Sequence, residues 1–237
     1  MSNPYFQFKQ FTIVQEKGAM KVTTDACIQG AWTPVLPAIN NVLDIGAGTG
    51  LLSLMLAQRN PNISIDGIES DTHAANEARD NVMSSPWKDR INISAGDVRT
   101  YTFQHKYDLI ISNPPFFNNS LLGKERNKNI ARHTLSLSYV ELLKVMEDYL
   151  EADGYFSVML PSAEYLQWKS LAKANNWFER STLSIRHRDQ ASANRVVGIF
   201  CKNEIAAVNQ DELIIMDDSD NYTQDFTDLL SPFYLKL

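Results

Sequence analysis

The sequence predicts an α/β fold: a mostly parallel sheet of seven strands, with helices on both faces and an antiparallel strand at one edge. Two observations support this fold. Along most of the chain, short apolar runs that resemble strands alternate with segments of helical composition. Such alternation is typical of parallel sheets, because each helix carries the chain back to the end where the previous strand began. Near the end of the chain two extended segments follow one another directly, which predicts the antiparallel edge strand.

The individual elements follow from the spacing of apolar residues, which repeats every second residue in strands and roughly every 3.6 residues in helices. The predicted strands are Val42–Ile45, Ile63–Ile68, Ile91–Ala95, Tyr107–Ser112, Gly154–Leu160, Phe178–Ile185 and Arg195–Cys201. The predicted helices are Leu51–Gln58, Thr72–Ser84, Tyr139–Leu150 and Ala163–Asn175. Residues 203–221 contain six acids and no basic residue, so they are interpreted as a solvated acidic loop.

A long N-terminal segment precedes the first strong strand. Residues 1–35 are therefore interpreted as an N-terminal extension, made of a strand or hairpin and a short helix, and residues 36–237 as the main domain. Alternating phenylalanines in the extension predict a strand with an irregularity that turns near Gly18. Thr24 or Asp25 is expected to cap the short helix.

Composition is that of an ordinary globular protein. The 237 residues are enough for one large α/β domain, and 44% of them are hydrophobic. No apolar run reaches the roughly 18 residues that a membrane helix needs, and the N-terminus lacks the pattern of a signal peptide. Cys27 and Cys201 lie far apart and form no metal-ligand cluster. We therefore expect a cytoplasmic protein without membrane or metal partners, and a monomer is favoured.

A glycine-rich turn follows the first predicted strand and suggests a cofactor site. Asp44 precedes Gly46, Gly48 and Gly50, and glycines allow both a sharp turn and the close approach of a ligand to the backbone. The dinucleotide fingerprint would instead require a glycine at position 51, which is Leu51 here. S-adenosylmethionine (SAM) has no phosphate, and a carboxylate suits its ammonium and sulfonium groups. The turn therefore favours SAM over NAD.

Two further acids follow the next two predicted strands. Glu69 is expected to accept hydrogen bonds from the ribose hydroxyls, and Asp97 from the adenine amino group. With Asp44, they lie at the carboxyl ends of successive strands, where open α/β sheets bind ligands. The alternative is that these acids only cap helices or lie in loops. The predicted cofactor-binding residues are Asp44, Gly46, Ala47, Gly48, Gly50, Glu69, Asp97, Val98 and Asn113.

The fourth predicted strand leads into Asn113-Pro114-Pro115-Phe116, the predicted catalytic residues. Prolines end the strand and hold an extended backbone. A planar amino group on a heteroaromatic ring is a poor nucleophile, because its lone pair is delocalised. The side-chain oxygen of Asn113 and the carbonyl of Pro114 can each accept one N–H, which turns the lone pair towards a methyl donor. Phe116 can stack on the ring. The alternative is a proline-rich turn that only ends the strand.

The order of these motifs resembles the amino-methylating branch of the Rossmann-like class I methyltransferases. Within that branch, the chain resembles the bacterial tRNA adenine-N6 methyltransferases that act on the adenosine next to the anticodon of valine tRNA. The resemblance extends over nearly the whole chain through the flanking motifs Phe6–Lys9, Met20–Asp25, Ala131–Thr134 and Phe233–Lys236. It implies SAM as the cofactor, tRNA as the partner, and cofactor contacts from Lys21 and Thr24. Thr23 departs from the family pattern, which has glycine there.

Two basic clusters are candidates for contact with RNA phosphates, in spite of a net charge of -6. The first follows the catalytic motif and contains Lys124, Arg126, Lys128, Arg132 and His133. The second lies within residues 180–195, and its candidate contacts are Arg186, Arg188 and Arg195. Phe117 is a candidate second stacking surface for a flipped base. The alternative for both clusters is ordinary solvated loops.

The favoured hypothesis is a SAM-dependent methyltransferase that acts on the N6 amino group of an adenosine in tRNA. The same hydrogen-bond chemistry serves a guanine N2 amine in ribosomal RNA or a glutamine amide in a protein. A different hypothesis is a non-catalytic module that binds SAM and RNA. The complete motif from Asn113 to Phe116 argues against it.

Overall fold

The computed structural model describes residues 3–16, 21–114 and 137–237. Within these ranges the chain forms ten strands and six helices. The strands are β1 Tyr5–Gln7, β2 Thr12–Val14, β3 Asn41–Ile45, β4 Ser64–Glu69, β5 Ile91–Ala95, β6 Tyr107–Ser112, β7 Leu150–Pro161, β8 Phe178–Arg186, β9 Arg195–Cys201 and β10 Asn209–Ile214. The helices are α1 Thr24–Trp32, α2 Leu51–Arg59, α3 Thr72–Met83, α4 Tyr139–Tyr149, α5 Ser162–Ala174 and α6 Gln224–Leu230.

Eight of these strands form one sheet, in the order β10-β8-β9-β7-β6-β3-β4-β5. Every neighbouring pair is parallel except the two pairs that involve β9. The chain runs from β3 outwards through β4 to β5, and then returns to the other side of β3 to form β6. The predicted α/β class and the mostly parallel sheet are confirmed.

Two details of the sheet differ from the prediction. The antiparallel strand is not at an edge, since β9 turns back from β8 and its other side pairs with β7. The described sheet also has an eighth strand, β10, within the segment 203–221 that the sequence predicts as a loop. Asp211 and Glu212 of this strand are exposed at the sheet edge, where charged side chains are tolerated and discourage pairing with other chains.

Apolar side chains cover both faces of the sheet, as predicted. One core includes Leu54 of α2 and Ile111 of β6, and the helices α1, α3 and α6 also contribute to it. The other core includes Trp168 of α5 and Ile110 of β6, together with residues of α4. Successive residues of one strand therefore point into different cores. With both faces covered, the strand ends are the part of the sheet that remains for binding a ligand.

The N-terminal residues form a hairpin, one of the two forms expected for the extension, and the chain reverses at Phe8–Phe11 rather than near Gly18. β1 and β2 pair antiparallel, and the turn between them is closed by a hydrogen bond of 2.8 Å from the Phe8 amide to the Phe11 carbonyl. The break in the alternation of phenylalanines is therefore a chain reversal. Gly18, where the turn was expected, lies outside the described residues. The division of the chain after residue 35 stays a prediction.

Helix α1 is capped by Thr23, one residue before the expected Thr24 or Asp25. Thr23 has an extended backbone, with φ -121° and ψ 149°, and its hydroxyl accepts a hydrogen bond of 3.2 Å from the Ala26 amide. Glycine at this position would lack that side-chain oxygen. The departure from the family pattern therefore supplies a helix cap.

Asn81 of α3 connects the N-terminal hairpin to the glycine-rich segment. Its side-chain oxygen accepts from the Val14 amide at 2.8 Å. Its nitrogen donates to the Val14 and Thr49 carbonyls, both at 3.0 Å. The Asn81 side chain is only 2% exposed. One buried amide therefore pairs backbone groups of two separate segments.

We predict that Asn81→Ala lowers the free energy of unfolding by about 3 kcal/mol, since it leaves backbone groups without partners in a buried setting. The measurement is urea denaturation followed by circular dichroism. The control is Asn92→Ala, at an exposed position of β5, for which a change within about 0.5 kcal/mol is expected. Equal stabilities for the two variants would contradict the prediction.

Candidate active site

The carboxyl ends of β3 and β6 lie side by side, and this places the predicted cofactor and catalytic motifs together. Ile45 pairs with Ser112 in the parallel register, and the Ser112 hydroxyl donates to the Ile45 carbonyl at 2.9 Å. The next residues are Gly46 and Asn113. After β3 the next two strands are added on one side of it, and β6 is then added on its other side. Ligands of open α/β sheets bind at such a switch in strand order.

The glycine turn has a backbone that other residues rarely adopt. Gly46, Gly48 and Gly50 have φ angles of 73°, 55° and 81°. The amides of Gly46 and Ala47 donate to the Ile68 carbonyl, which fastens the turn to β4. A Cβ atom added at Gly46 would have no heavy atom of the described chain within 4 Å beyond its immediate neighbours. The outer side of the turn at Gly46 is therefore open space beside the end of β3.

Asp44 is fully buried beneath this turn and keeps one carboxylate oxygen without a partner. Its Oδ2 accepts from the Ser53 amide at 3.2 Å and from the Ser53 hydroxyl at 2.7 Å. Its Oδ1 is buried and has no hydrogen-bond partner among the described residues. Burial raises the pKa of Asp44 to about 6, although the hydrogen bonds from Ser53 oppose the rise. A ligand with an ammonium group would supply the missing donor.

Glu69 ends β4 on the other side of the glycine turn. Its Oε2 accepts from the Gly48 amide at 2.9 Å, and its Oε1 accepts from the Asp71 amide at 2.9 Å and the Ser70 hydroxyl at 3.3 Å. These bonds hold the carboxylate in place at the edge of the sheet. Oε2 has capacity for a further donor, so the side chain can accept from a ribose hydroxyl.

Asp97 is held by a residue that the sequence did not indicate, Arg99. The Arg99 guanidinium donates to Asp97 Oδ1 at 2.9 Å and to Oδ2 at 2.5 Å, and its amide donates to Oδ1 at 2.9 Å. The hydrogen bond from the Arg99 side chain holds the pKa of Asp97 below its usual range. Arg99 also approaches Glu141 at 3.4 Å. Asp97 is therefore a carboxylate fixed by Arg99 rather than one without partners.

Glu141, the second partner of Arg99, lies in the first turn of helix α4. It forms a capping box with Ser138, in which the Ser138 hydroxyl accepts from the Glu141 amide and the Glu141 carboxylate accepts from the Ser138 amide. Arg99 thus links the predicted adenine site to helix α4, which follows the predicted catalytic motif in the sequence.

Asn113 carries the second buried oxygen without a partner in the described part of this edge. Its Oδ1 is inaccessible to solvent and accepts no hydrogen bond from a described residue. Pro114, which follows, is buried. The side-chain oxygen is therefore an acceptor at the end of β6 whose hydrogen bond the described residues do not supply. Pro115 and Phe116 lie outside the described residues.

The residues assigned to the cofactor through the family resemblance lie at the start of α1. Lys21 and Thr24 are both exposed. Asp25, beside Thr24, forms an ion pair of 3.2 Å with Arg195 at the start of β9. Since β9 is antiparallel, its start lies at the carboxyl ends of β7 and β8. The start of α1 is therefore on the same edge of the sheet as the glycine turn.

The second basic cluster is only partly brought to this edge, and its candidate contacts are paired with acids. Arg186 ends β8 and lies 2.6 Å from Glu212. Arg188 pairs with Asp220. Arg180 lies near the start of β8, about 20 Å away at a strand rise of about 3.3 Å per residue. The first cluster, with Phe117, Lys124, Arg126, Lys128, Arg132 and His133, lies outside the described residues.

Sequence reasoning missed Arg99, Ser53 and Gln29. Gln29 is fully buried in α1, and its amide nitrogen donates to the Ser112 carbonyl at 3.0 Å. Ser53 and Gln29 are fully buried polar residues of α2 and α1, and each follows an apolar residue. A polar residue on the apolar face of a predicted helix is the signal that could have found them. Arg99 had no such signal beyond its proximity to Asp97.

The sequence matches known methyltransferases over its full length. The family model for the methyltransferase small domain matches residues 32–158. A tRNA1(Val) (adenine(37)-N6)-methyltransferase from Dyadobacter fermentans is 42% identical over 99% of this chain and 98% of its own length. One from Bacteroides thetaiotaomicron is 38% identical and covers 100% of both chains. The chain belongs to this methyltransferase family.

Solved structures show the same fold in more distant methyltransferases. A protein from Agrobacterium tumefaciens described as a predicted O-methyltransferase has a TM-score of 0.67, with 16% identity over 88% of this chain and 96% of its own. A glycopeptide N-methyltransferase complexed with SAM has a TM-score of 0.56, with 11% identity over 78% of this chain and 96% of its own. The Rossmann-like class I methyltransferase fold is therefore confirmed.

Residues 3–16, 21–114 and 137–237 contain neither a candidate membrane span nor a candidate metal site. No helix in these ranges is both long and apolar enough to span a membrane. No cluster of three or more histidine, cysteine or acidic side chains in them can hold a metal ion.

We predict that Asp44→Asn gains stability relative to the wild type as the pH rises from 5 to 8, by about 1 kcal/mol. The folded-state pKa of Asp44, about 6, lies above its usual 3.8. Its stabilising contribution is therefore complete below pH 3.8 and is lost as the pH rises through 6. Asparagine does not titrate, and its oxygen still accepts from Ser53.

The measurement is urea denaturation of both proteins at pH 5, 6, 7 and 8. The control is Asp89→Asn at an exposed position, for which a difference from the wild type within about 0.5 kcal/mol is expected throughout. A difference between Asp44→Asn and the wild type that does not change with pH would refute the buried, titrating carboxylate.

Proposed function

We propose that this chain transfers a methyl group from SAM to the N6 amino group of an adenosine in tRNA. The observation that carries this proposal is the buried Asn113 Oδ1, which has no partner among the described residues and lies beside the open glycine turn. An acceptor oxygen in that position suits an amine substrate. Relatives of the whole chain named as tRNA1(Val) (adenine(37)-N6)-methyltransferases support adenosine in tRNA as the acceptor.

The residues around the glycine turn fit SAM. Asp44 Oδ1 needs a donor and suits an ammonium group, the Gly46 backbone leaves room for a ligand, and Glu69 can accept from a ribose hydroxyl. Asp97, already ionised through its pairing with Arg99, is assigned to the adenine amino group. The contacts of Lys21, Thr24, Ala47 and Val98 belong to the same proposal.

The protein contributes positioning and hydrogen bonding, and no strong base is required. Bound SAM supplies an electrophilic methyl group on a sulfonium. Asn113 Oδ1 and the Pro114 carbonyl each accept one N–H of the adenine amine, which draws the nitrogen out of conjugation and directs its lone pair. Phe116 is assigned to stacking on the ring, and Pro115 completes the proposed motif. The nitrogen becomes cationic on methylation and then loses a proton readily.

The contacts with tRNA are assigned to the same edge of the sheet. Arg186 and Arg195 lie there, next to strand ends, and Arg188 follows closely. The first basic cluster directly follows the catalytic motif in the sequence and is assigned to the phosphates around the flipped base. An acceptor of this kind also favours the cytoplasm, where tRNA is found.

We expect Asn113→Ala to lower the rate of methyl transfer to tRNA by a factor of at least about 100, because loss of one preorganised hydrogen-bonding group from an active site costs about that much. The measurement is incorporation of labelled methyl from SAM into tRNA, followed by nucleoside analysis for N6-methyladenosine. SAM affinity, measured by calorimetry, is expected to stay within about threefold of the wild-type value.

The matched control is Asn92→Ala, which removes an exposed asparagine from β5 and should keep wild-type turnover. Full turnover in Asn113→Ala would refute the assigned role. Label in ribosomal RNA guanine or in protein glutamine, with none in tRNA, would identify a different acceptor.

We expect Arg186→Gln to raise the KM for tRNA about threefold to tenfold, with kcat unchanged, and to reduce the slope of log affinity against log salt by about 1. Glu212→Gln removes the acid that pairs with Arg186 at 2.6 Å, so it should lower the same KM. The control is Arg180→Gln, at the other end of β8. Equal effects at Arg180 and Arg186 would contradict a local contact.

A further inference from the structure

Gln29 is a buried amide that connects α1 to the end of β6. It has no exposed surface, and its Nε2 donates to the Ser112 carbonyl at 3.0 Å and approaches the Ser157 hydroxyl at 3.5 Å. The Ser157 hydroxyl in turn lies 2.8 Å from the Thr33 hydroxyl. This small polar network, made of Gln29, Thr33, Ser112 and Ser157, lies within the apolar core that packs against α1.

The orientation of the Gln29 amide is determined by its partner. A carbonyl only accepts, so the nitrogen of Gln29 must face the Ser112 oxygen. The opposite atom, Oε1, is then buried and has no partner in the described ranges. An unpaired buried oxygen is unfavourable, and an apolar side chain of the same length would avoid it. The feature that distinguishes the amide from an apolar side chain here is its donor nitrogen, which pairs with the Ser112 carbonyl.

Ser112 is held at both its side chain and its carbonyl. It is the last residue of β6 that pairs with β3 and with β7. Its hydroxyl donates to the Ile45 carbonyl at 2.9 Å, and its carbonyl accepts from Gln29. The peptide bond that joins Ser112 to Asn113 is planar. Fixing the Ser112 carbonyl therefore fixes the direction in which the chain enters Asn113.

We propose that Gln29 is a positioning residue for the catalytic motif: through the Ser112 carbonyl, it aims Asn113 and Pro114 at the acceptor amine. This proposal rests on the proposed function. It means that helix α1, within the predicted N-terminal extension, helps to orient the residues that hold the acceptor amine. A sub-ångström change in the two acceptor oxygens affects the transition state more than the binding of either substrate.

The first test compares Gln29→Met with the wild type. Methionine preserves length and removes the donor. We expect kcat for tRNA methylation to fall about tenfold, with the KM for tRNA and the affinity for SAM within twofold of the wild-type values. The control is Tyr165→Phe, which removes a buried hydrogen bond of 2.6 Å to Glu179 near the start of β8. It should reduce stability without changing kcat.

The second variant, Gln29→Glu, separates positioning from packing. A protonated glutamic acid at this position can donate to the Ser112 carbonyl, whereas a carboxylate repels it. We expect the ratio of its kcat to that of Gln29→Met to rise as the pH falls from 8 to 6. A ratio that stays constant overturns the proposal, as does a kcat for Gln29→Met within twofold of the wild-type value.

Hydrogen exchange tests the same claim without tRNA. A peptide that covers residues 107–114 is followed in the wild type, in Gln29→Met and in Tyr165→Phe. Exchange at the end of β6 should be faster in Gln29→Met alone, whatever the acceptor of the methyl group. Wild-type protein that fails to methylate tRNA would refute the proposed function only. Unchanged exchange in Gln29→Met would refute the positioning role.

Discussion

The pairing of β3 with β6 is the constraint on which the rest of the site depends. The register that places Ile45 opposite Ser112 brings the glycine turn and Asn113 to neighbouring strand ends, about 4.8 Å apart in the sheet. A shift of one residue would send the side chains of β6 to the opposite faces and into the wrong cores. Ile110 and Ile111 are fully buried on the two faces, so such a shift would require both cores to repack. Packing in the core thus determines the geometry of the polar edge.

That edge contains polar atoms that folding alone does not satisfy. Asp44 Oδ1, Asn113 Oδ1 and Gln29 Oε1 are all buried and lack partners among the described residues. Natural structures leave few such atoms, and each one weakens the folded state. Three of them near one pair of strand ends are therefore unusual. Their presence is consistent with a site in which bound ligands supply the missing donors. It is also consistent with a constraint on the orientation of Asn113 in addition to the requirements of folding.

Local patterns predicted most of the fold and the central part of the site. Strands such as β6 are recognisable because buried parallel strands are almost wholly apolar, and the acids are recognisable because they follow those strands. The position of β9 and the strand β10 were not predictable, since they depend on pairing partners distant in the sequence. The pairing of Glu212 with Arg186 was not predictable for a similar reason. The pairing of Arg99 with Asp97 is local, but the sequence does not show which neighbouring side chains bond to each other. Charge in the sequence indicates which side chains are ionised but not which of them meet.

These ion pairs affect how an acidic protein can select a polyanion. Arg186, Arg188 and Arg195 lie at or near the edge of the sheet that carries the glycine turn, and each is paired with a carboxylate. A paired arginine attracts distant phosphates weakly, because the fields of the two charges largely cancel. A phosphate binds a paired arginine most favourably at hydrogen-bond distance, where it replaces the carboxylate or binds beside it. Only an RNA of suitable shape brings a phosphate to that distance. Paired arginines would therefore lower non-specific affinity and increase the dependence of binding on the shape of the substrate.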